Sequence, residues 1–153
     1  MLEVKKASLG LCAAMALFVL TGFGPKRAMA PLNGGETDPI VSHISLLRLG
    51  SPQQKAAAAY WLGQQRTAAA EAVSSLVELL GDATQVDPTR YRPRRMDKMT
   101  LGEEAAAALV NIGHPSIEPL IRVLKSSPQV EARKNAAWAL GALHDTGATA
   151  SDI

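Results

Sequence analysis

Three histidines, one cysteine, a run of arginines and two isolated aromatic residues are the parts of this sequence that could do chemistry. His43, His114 and His144 have no mutual spacing, such as HxxxH, that would set two imidazoles on one helix face for a metal. No GxSxG elbow or Gly-rich phosphate loop occurs. The single cysteine, Cys12, lies inside an apolar N-terminal run, so neither a disulfide framework nor a thiolate metal site follows. Glu103 and Glu104 are adjacent at a predicted helix start, where carboxylates favour the helix dipole. The expectation is a chain with no catalytic residue, no metal and no cofactor, and so not an enzyme.

Basic residues cluster once. Arg90, Arg92, Arg94, Arg95 and Lys98 stand within TRYRPRRMDK. Clustered guanidinium groups bind oxyanions in bidentate geometry, which makes this a candidate anion-binding loop for an acidic protein, a polyanionic glycan or an anionic lipid surface. The competing reading is a solvated loop, since Asp82, Asp87 and Asp97 dilute the charge. The chain as a whole does not look like a nucleic-acid binder. Residues 1–30 hold four of the 16 basic residues and one of the 14 acidic ones, which leaves 12 against 13 and a nearly neutral body.

The elements that would position these residues follow from a repeat. AAYWLGQQ, AAAALVNIG and NAAWALGAL align on Leu62, Leu109 and Leu140, each with small residues three and four positions earlier, where closely packed helices leave least room. The spacings are 47 and 31 residues, so the first interval holds an insertion. Before each of these segments an i, i+3, i+4, i+7 pattern marks another helix: Ile40, Ile44 and Leu47; Val73, Leu76, Val77 and Leu80; Ile117, Leu120, Ile121 and Leu124. Asp38-Pro39, Ser51-Pro52, Thr100 and Ser127-Pro128 are helix starts, because these side chains cap free N–H groups and proline lacks an N–H that would be unbonded there. With 47% apolar but only 4% aromatic residues, the core must be built from Ala, Leu, Val and Ile. The sequence predicts an all-α chain, an α-solenoid of three antiparallel helix pairs over residues 38–145, with a tail at 146–153. The basic loop falls in the insertion, residues 82–99, between the two helices of the second pair. That loop carries no apolar periodicity and is expected to be dispensable for folding. His43 stands where the first helix should have a leucine, so that helix is expected to be the loosest.

Taking each repeat leucine as buried, at 100° per residue the positions two before it lie opposite the core: Tyr60, Ala107 and Trp138. Tyr60 and Trp138 are therefore candidate anchors of a protein-binding groove, with Glu103, Glu104, Glu131 and Lys134 as its polar rim. Trp61 is expected to pack instead. Ahead of the repeats, Lys5 and Lys6 precede the uncharged, mostly apolar residues 7–24, and Ala28-Met29-Ala30 follows as a cleavage pattern. Residues 1–30 read as a secretory signal or, uncleaved, as a membrane anchor, and residues 31–37 as a linker. The expected location is outside the cytoplasm or tethered at a membrane, which also argues against nucleic acid.

GSPQQKAAAAYWLG, together with HPSIEPLIRVLKSSPQVEARKNAAWALGAL, resembles the HEAT repeats, particularly the short HEAT-like type found in phycobilisome lyases and many bacterial proteins. The resemblance implies stacked helix pairs and, most simply, a noncatalytic protein-interaction scaffold. It also leaves open a lyase or chaperone that handles a tetrapyrrole such as a bilin. The family often has Asp before the second helix and Arg four residues later. Arg133 matches that Arg and Lys55 is similar, whereas Ser51 and Gly102 depart from the pattern. In a stacked array each pair buries its side against the next. The third pair, with Arg122 and Leu143 read as outward-facing, is thus expected to support self-association.

Overall fold

A computed structural model describes residues 37–92 and 98–147 of the 153. The leader, most of the linker, Arg94, Arg95 and residues 148–153 lie outside the described residues. Six α-helices occur among those described: α1 (Pro39–Leu49), α2 (Pro52–Gln64), α3 (Val73–Glu78), α4 (Leu101–Ile112), α5 (Ile117–Ser126) and α6 (Val130–Asp145). A 3₁₀ segment, Arg66–Ala72, leads into α3, and i→i+3 bonds from Leu79 N–H to the Leu76 carbonyl and from Leu80 N–H to the Val77 carbonyl close it, so Leu80, the last residue of its apolar pattern, is buried beyond the helix end. The class is all-α, with one addition that periodicity did not signal, a two-stranded antiparallel ribbon of β1 (Gln85–Val86) and β2 (Met99–Thr100).

The starts obey capping chemistry. Asp38 Oδ1 accepts from the N–H of Ile40 at 2.9 Å. Ser51 and Thr100 each form a reciprocal box with the residue three positions on, Gln54 and Glu103, which satisfies two free donors at once. The third expected start shifts. Ser127 ends α5, and its hydroxyl accepts from Gln129 N–H at 3.3 Å before α6 opens at Val130. Arg133 donates to the Ser127 carbonyl at 2.7 Å, so this arginine ties down the turn between α5 and α6.

Packing alternates. α4 lies between α2 and α6, while α1, α3 and α5 pack against α2, α4 and α6 respectively, and α3 also meets α1 and α5. The repeat positions explain the close approach of the central helices. A Cβ on Gly63 would stand 3.0 Å from the Cα of Ala108, so α2 and α4 touch almost backbone to backbone. Leu62, Leu109, Ala59 and Ala106 are fully buried around that contact. Such small-residue packing keeps dispersion contacts dense where few aromatic side chains are available. α1 is better held than expected, because the His43 ring stacks on Trp61 with centroids 3.9 Å apart, and His43 Nδ1 lies 2.7 Å from the Pro39 carbonyl. Arg48 on the same helix donates to the Ser75 hydroxyl.

Candidate interaction surfaces and the inserted arm

The insertion is not a free loop. After Leu80 the chain makes an Asp82 turn, in which Oδ1 accepts from Thr84 N–H, and then runs through β1 into a short 3₁₀ turn, Pro88–Arg90. Val86 and Pro88 are buried. Gln53 on α2 grips the segment with its side-chain amide: Oε1 accepts from Asp87 N–H at 3.1 Å and Nε2 donates to the Asp87 carbonyl at 2.7 Å. The Asp87 carboxyl is held below its usual pKa, first by the Thr89 hydroxyl at 2.6 Å and then by the Thr89 N–H.

The arm also completes α4. The first N–H groups of a helix have no partner within it. Here Leu101 N–H finds the Thr84 carbonyl, Gly102 N–H finds the Asp82 carbonyl, both at 2.9 Å, and Glu103 N–H finds the Thr100 hydroxyl at 3.2 Å. Space at that point is so tight that a Cβ on Gly102 would stand 2.5 Å from the Leu80 carbonyl oxygen and 2.8 Å from Asn135 Nδ2. This gives a physical reason for the departure from the repeat's arginine. Asn135 Nδ2 itself donates to Leu80 O at 2.8 Å.

Four side chains meet where the arm crosses the helices. Glu104 on α4 is 0% exposed, and its two oxygens accept from both ends of the Arg92 guanidinium, with Nε to Oε2 at 3.2 Å, and from the Tyr91 hydroxyl at 2.9 Å. The same guanidinium lies over the Tyr60 ring, 4.7 Å from its centroid, and Tyr60 and Tyr91 tilt against each other at 5.7 Å. A buried carboxylate is tolerated only when paired and hydrogen-bonded, and this bidentate cation plus a phenol donor meets that requirement.

The geometry corrects several expectations. Glu104 is a core anchor rather than a rim residue, because the arm covers the outer face of α4. Tyr60 is half-buried for the same reason, on the outer face of α2. Arg92 points inward and is occupied by Glu104, so it is not one of a row of free cations, while Arg90 and Lys98 remain exposed and Arg90 sits 3.7 Å from Asp87. Glu103 is exposed and serves as a cap, and Glu131 and Lys134 are exposed and paired with each other at 2.9 Å. Leu143, read as outward-facing, is fully buried, whereas Arg122 is exposed. Trp138, which sits on α6 where Tyr60 sits on α2, is not covered by the described residues of the arm and is 56% exposed. The structure thus brings Tyr60, Glu104 and Arg92 together and leaves Trp138, Glu131 and Lys134 on a separate surface. Sequence reasoning missed Gln53 and Tyr91, and the only available signal was the aromatic residue set among the arginines.

Burial, then the Glu104 charge and its hydrogen bond, push the Tyr91 phenol well above its ordinary value. The folded chain therefore retains a proton that the unfolded chain releases near pH 10, so stability is full below that pH and declines above it. The melting temperature is expected to fall steeply above about pH 10, and less steeply in Tyr91→Phe. Equal slopes in the two proteins would show that the phenol is not held in this way.

Among the described residues no helix is long and apolar enough to cross a membrane, and no three His, Cys, Asp or Glu side chains gather to hold a metal ion. Compared as a whole, the chain matches no curated protein and no solved structure. Residues 103–126, which span α4 from its N-cap partner Glu103 to the end of α5, match the family model of the PBS lyase HEAT-like repeat, so this stretch of the chain is similar to a HEAT-like repeat.

Proposed function

We propose that this chain is a noncatalytic scaffold for protein-protein contacts, built as a short HEAT-like α-solenoid and exported or membrane-tethered through residues 1–30. The observation that carries the reading is the exposure of large aliphatic side chains on an ordered helix. Leu49 is 88% exposed and shares the outer side of α1 with Val41 and Leu46, also exposed. A soluble fold gains nothing from keeping such a row in water, and contiguous apolar patches mark interaction sites. The buried ionisable side chain Glu104 is meanwhile fully engaged in holding the arm, which is a structural task. Export is supported by Lys5, Lys6 and the apolar residues that follow.

The test is site-specific photo-cross-linking from position 49 in cells that make the protein naturally, with position 118 as an exposed polar control. A discrete adduct with a second protein from 49 and none from 118 is expected. Adducts that are equally diffuse at both positions would remove the scaffold reading. Recovery of full-length chain from the soluble cytoplasm would remove the export part of it.

A further inference from the structure

We propose that the outer face of α6 binds a second copy of this chain, α6 against α6 in antiparallel orientation about a two-fold axis. The inference goes beyond the scaffold reading and uses a different surface, so its failure leaves the Leu49 contact standing.

The chain carries its own template for what this face accepts. Aligned on the repeat leucines, Ala59 and Gly63 of α2 correspond to Ala137 and Gly141 of α6. In α2 both are buried under α4, and Gly63 is where the helices touch most closely. In α6 the same two positions are exposed, and a Cβ on Gly141 would meet nothing within 4 Å. The other helix layer shows the same contrast, with Leu80 0% exposed and its counterpart Leu124 39% exposed. The face therefore has the small-residue profile that takes a close-packed helix, flanked by exposed Trp138 and Val130.

The opposite edge of the array cannot supply that helix. The position on α2 that corresponds to Ala108, the residue fitting against Gly63, is Trp61, and His43 is stacked on it. An indole where an alanine is needed blocks a head-to-tail approach, which would in any case propagate instead of closing. The α6 face can, however, meet itself. Lys134, Ala137, Trp138, Gly141 and Asp145 lie along one side of the helix. An antiparallel pair centred between Ala139 and Leu140 sets Trp138 of each copy over Gly141 of the other, a ring into an open notch. The same register sets Lys134 of each copy opposite Asp145 of the other, so two opposite-charge contacts frame the two rings. Both charges are exposed; Lys134 is paired with Glu131 at 2.9 Å and Asp145 lies 3.7 Å from His144, so each would exchange or share a solvent-exposed partner of its own helix on docking.

Sedimentation of the full chain over a range of concentrations tests this. A monomer-dimer equilibrium is expected, and Gly141→Leu should weaken it by at least about tenfold while the monomer keeps its helical circular dichroism, because the notch is filled at a site where an added Cβ meets none of the described residues within 4 Å. Lys134→Glu and Asp145→Lys should each weaken the dimer, and the double variant should restore it by reversing both pairs. A protein that stays monomeric, or that forms open-ended polymers, overturns the proposal. So does a dimer indifferent to Gly141→Leu, or a double charge reversal no tighter than its two single variants, since association would then use another face or another register.

Discussion

Arg92→Ala is expected to lower the unfolding free energy by about 3 to 5 kcal/mol, the cost of leaving a buried charge without its partner. Glu104 is enclosed on every side, its side chain 1% exposed against 17% for Arg92, so water cannot take over the lost hydrogen bonds. The Tyr91 hydroxyl alone would remain, on one of the two oxygens. Urea melts of the two proteins measure the difference. Replacing both partners, Arg92→Met with Glu104→Leu, should recover much of the loss, because an apolar pair of similar volume has no desolvation penalty to offset. A loss below about 1 kcal/mol in Arg92→Ala would place the pair in the class of exposed ion pairs and overturn the account of the arm.

The second large effect is expected from excising the arm. Replacing residues 82–99 by a short Gly/Ser turn should destabilise by more than about 4 kcal/mol, because it orphans Glu104 and also removes the buried Val86 and Pro88, exposing the helix surface they cover. It also removes the Thr84 and Asp82 carbonyls that receive the first N–H groups of α4. Loop-closure entropy on its own gives the opposite expectation, since it depends only weakly on length. The two effects are separable in one further variant: Glu104→Leu in the excised chain should regain a substantial part of the stability. A melt of the excised chain within about 1 kcal/mol of the original would mean that the arm rests on the helices without supporting them.

The helices were legible because their determinants are local. Apolar periodicity, Asp38, Ser51 and Thr100 as caps, and the small residues before Leu62, Leu109 and Leu140 each act within about a turn of themselves. The arm was not legible, because its anchors join residues far apart in sequence: Gln53 to Asp87, Arg92 to Glu104, Asn135 to Leu80. Periodicity measured from a single helix reports only which side faces that helix's own core. Tyr60 and Glu104 fall on the side away from it, and they are covered by a segment whose own pattern is neither 3.6 nor sustained 2. Trp138 is exposed, as the same arithmetic expects of its position, and the described residues of the arm do not cover it. The difference between Tyr60 and Trp138 is thus the presence of the insertion in one interval, visible in the sequence as 47 residues against 31 but silent about where those residues go.

Gln53 has a further consequence. A two-stranded ribbon has outer edges, and unpaired N–H and C=O groups along an edge are a template on which a strand from another molecule can add. The Gln53 carboxamide presents one acceptor and one donor to Asp87, immediately after β1, in the same arrangement that a neighbouring strand's backbone would offer. A side chain from a helix thereby occupies the backbone just beyond β1, and a strand from another molecule cannot extend its pairing past that end of the ribbon.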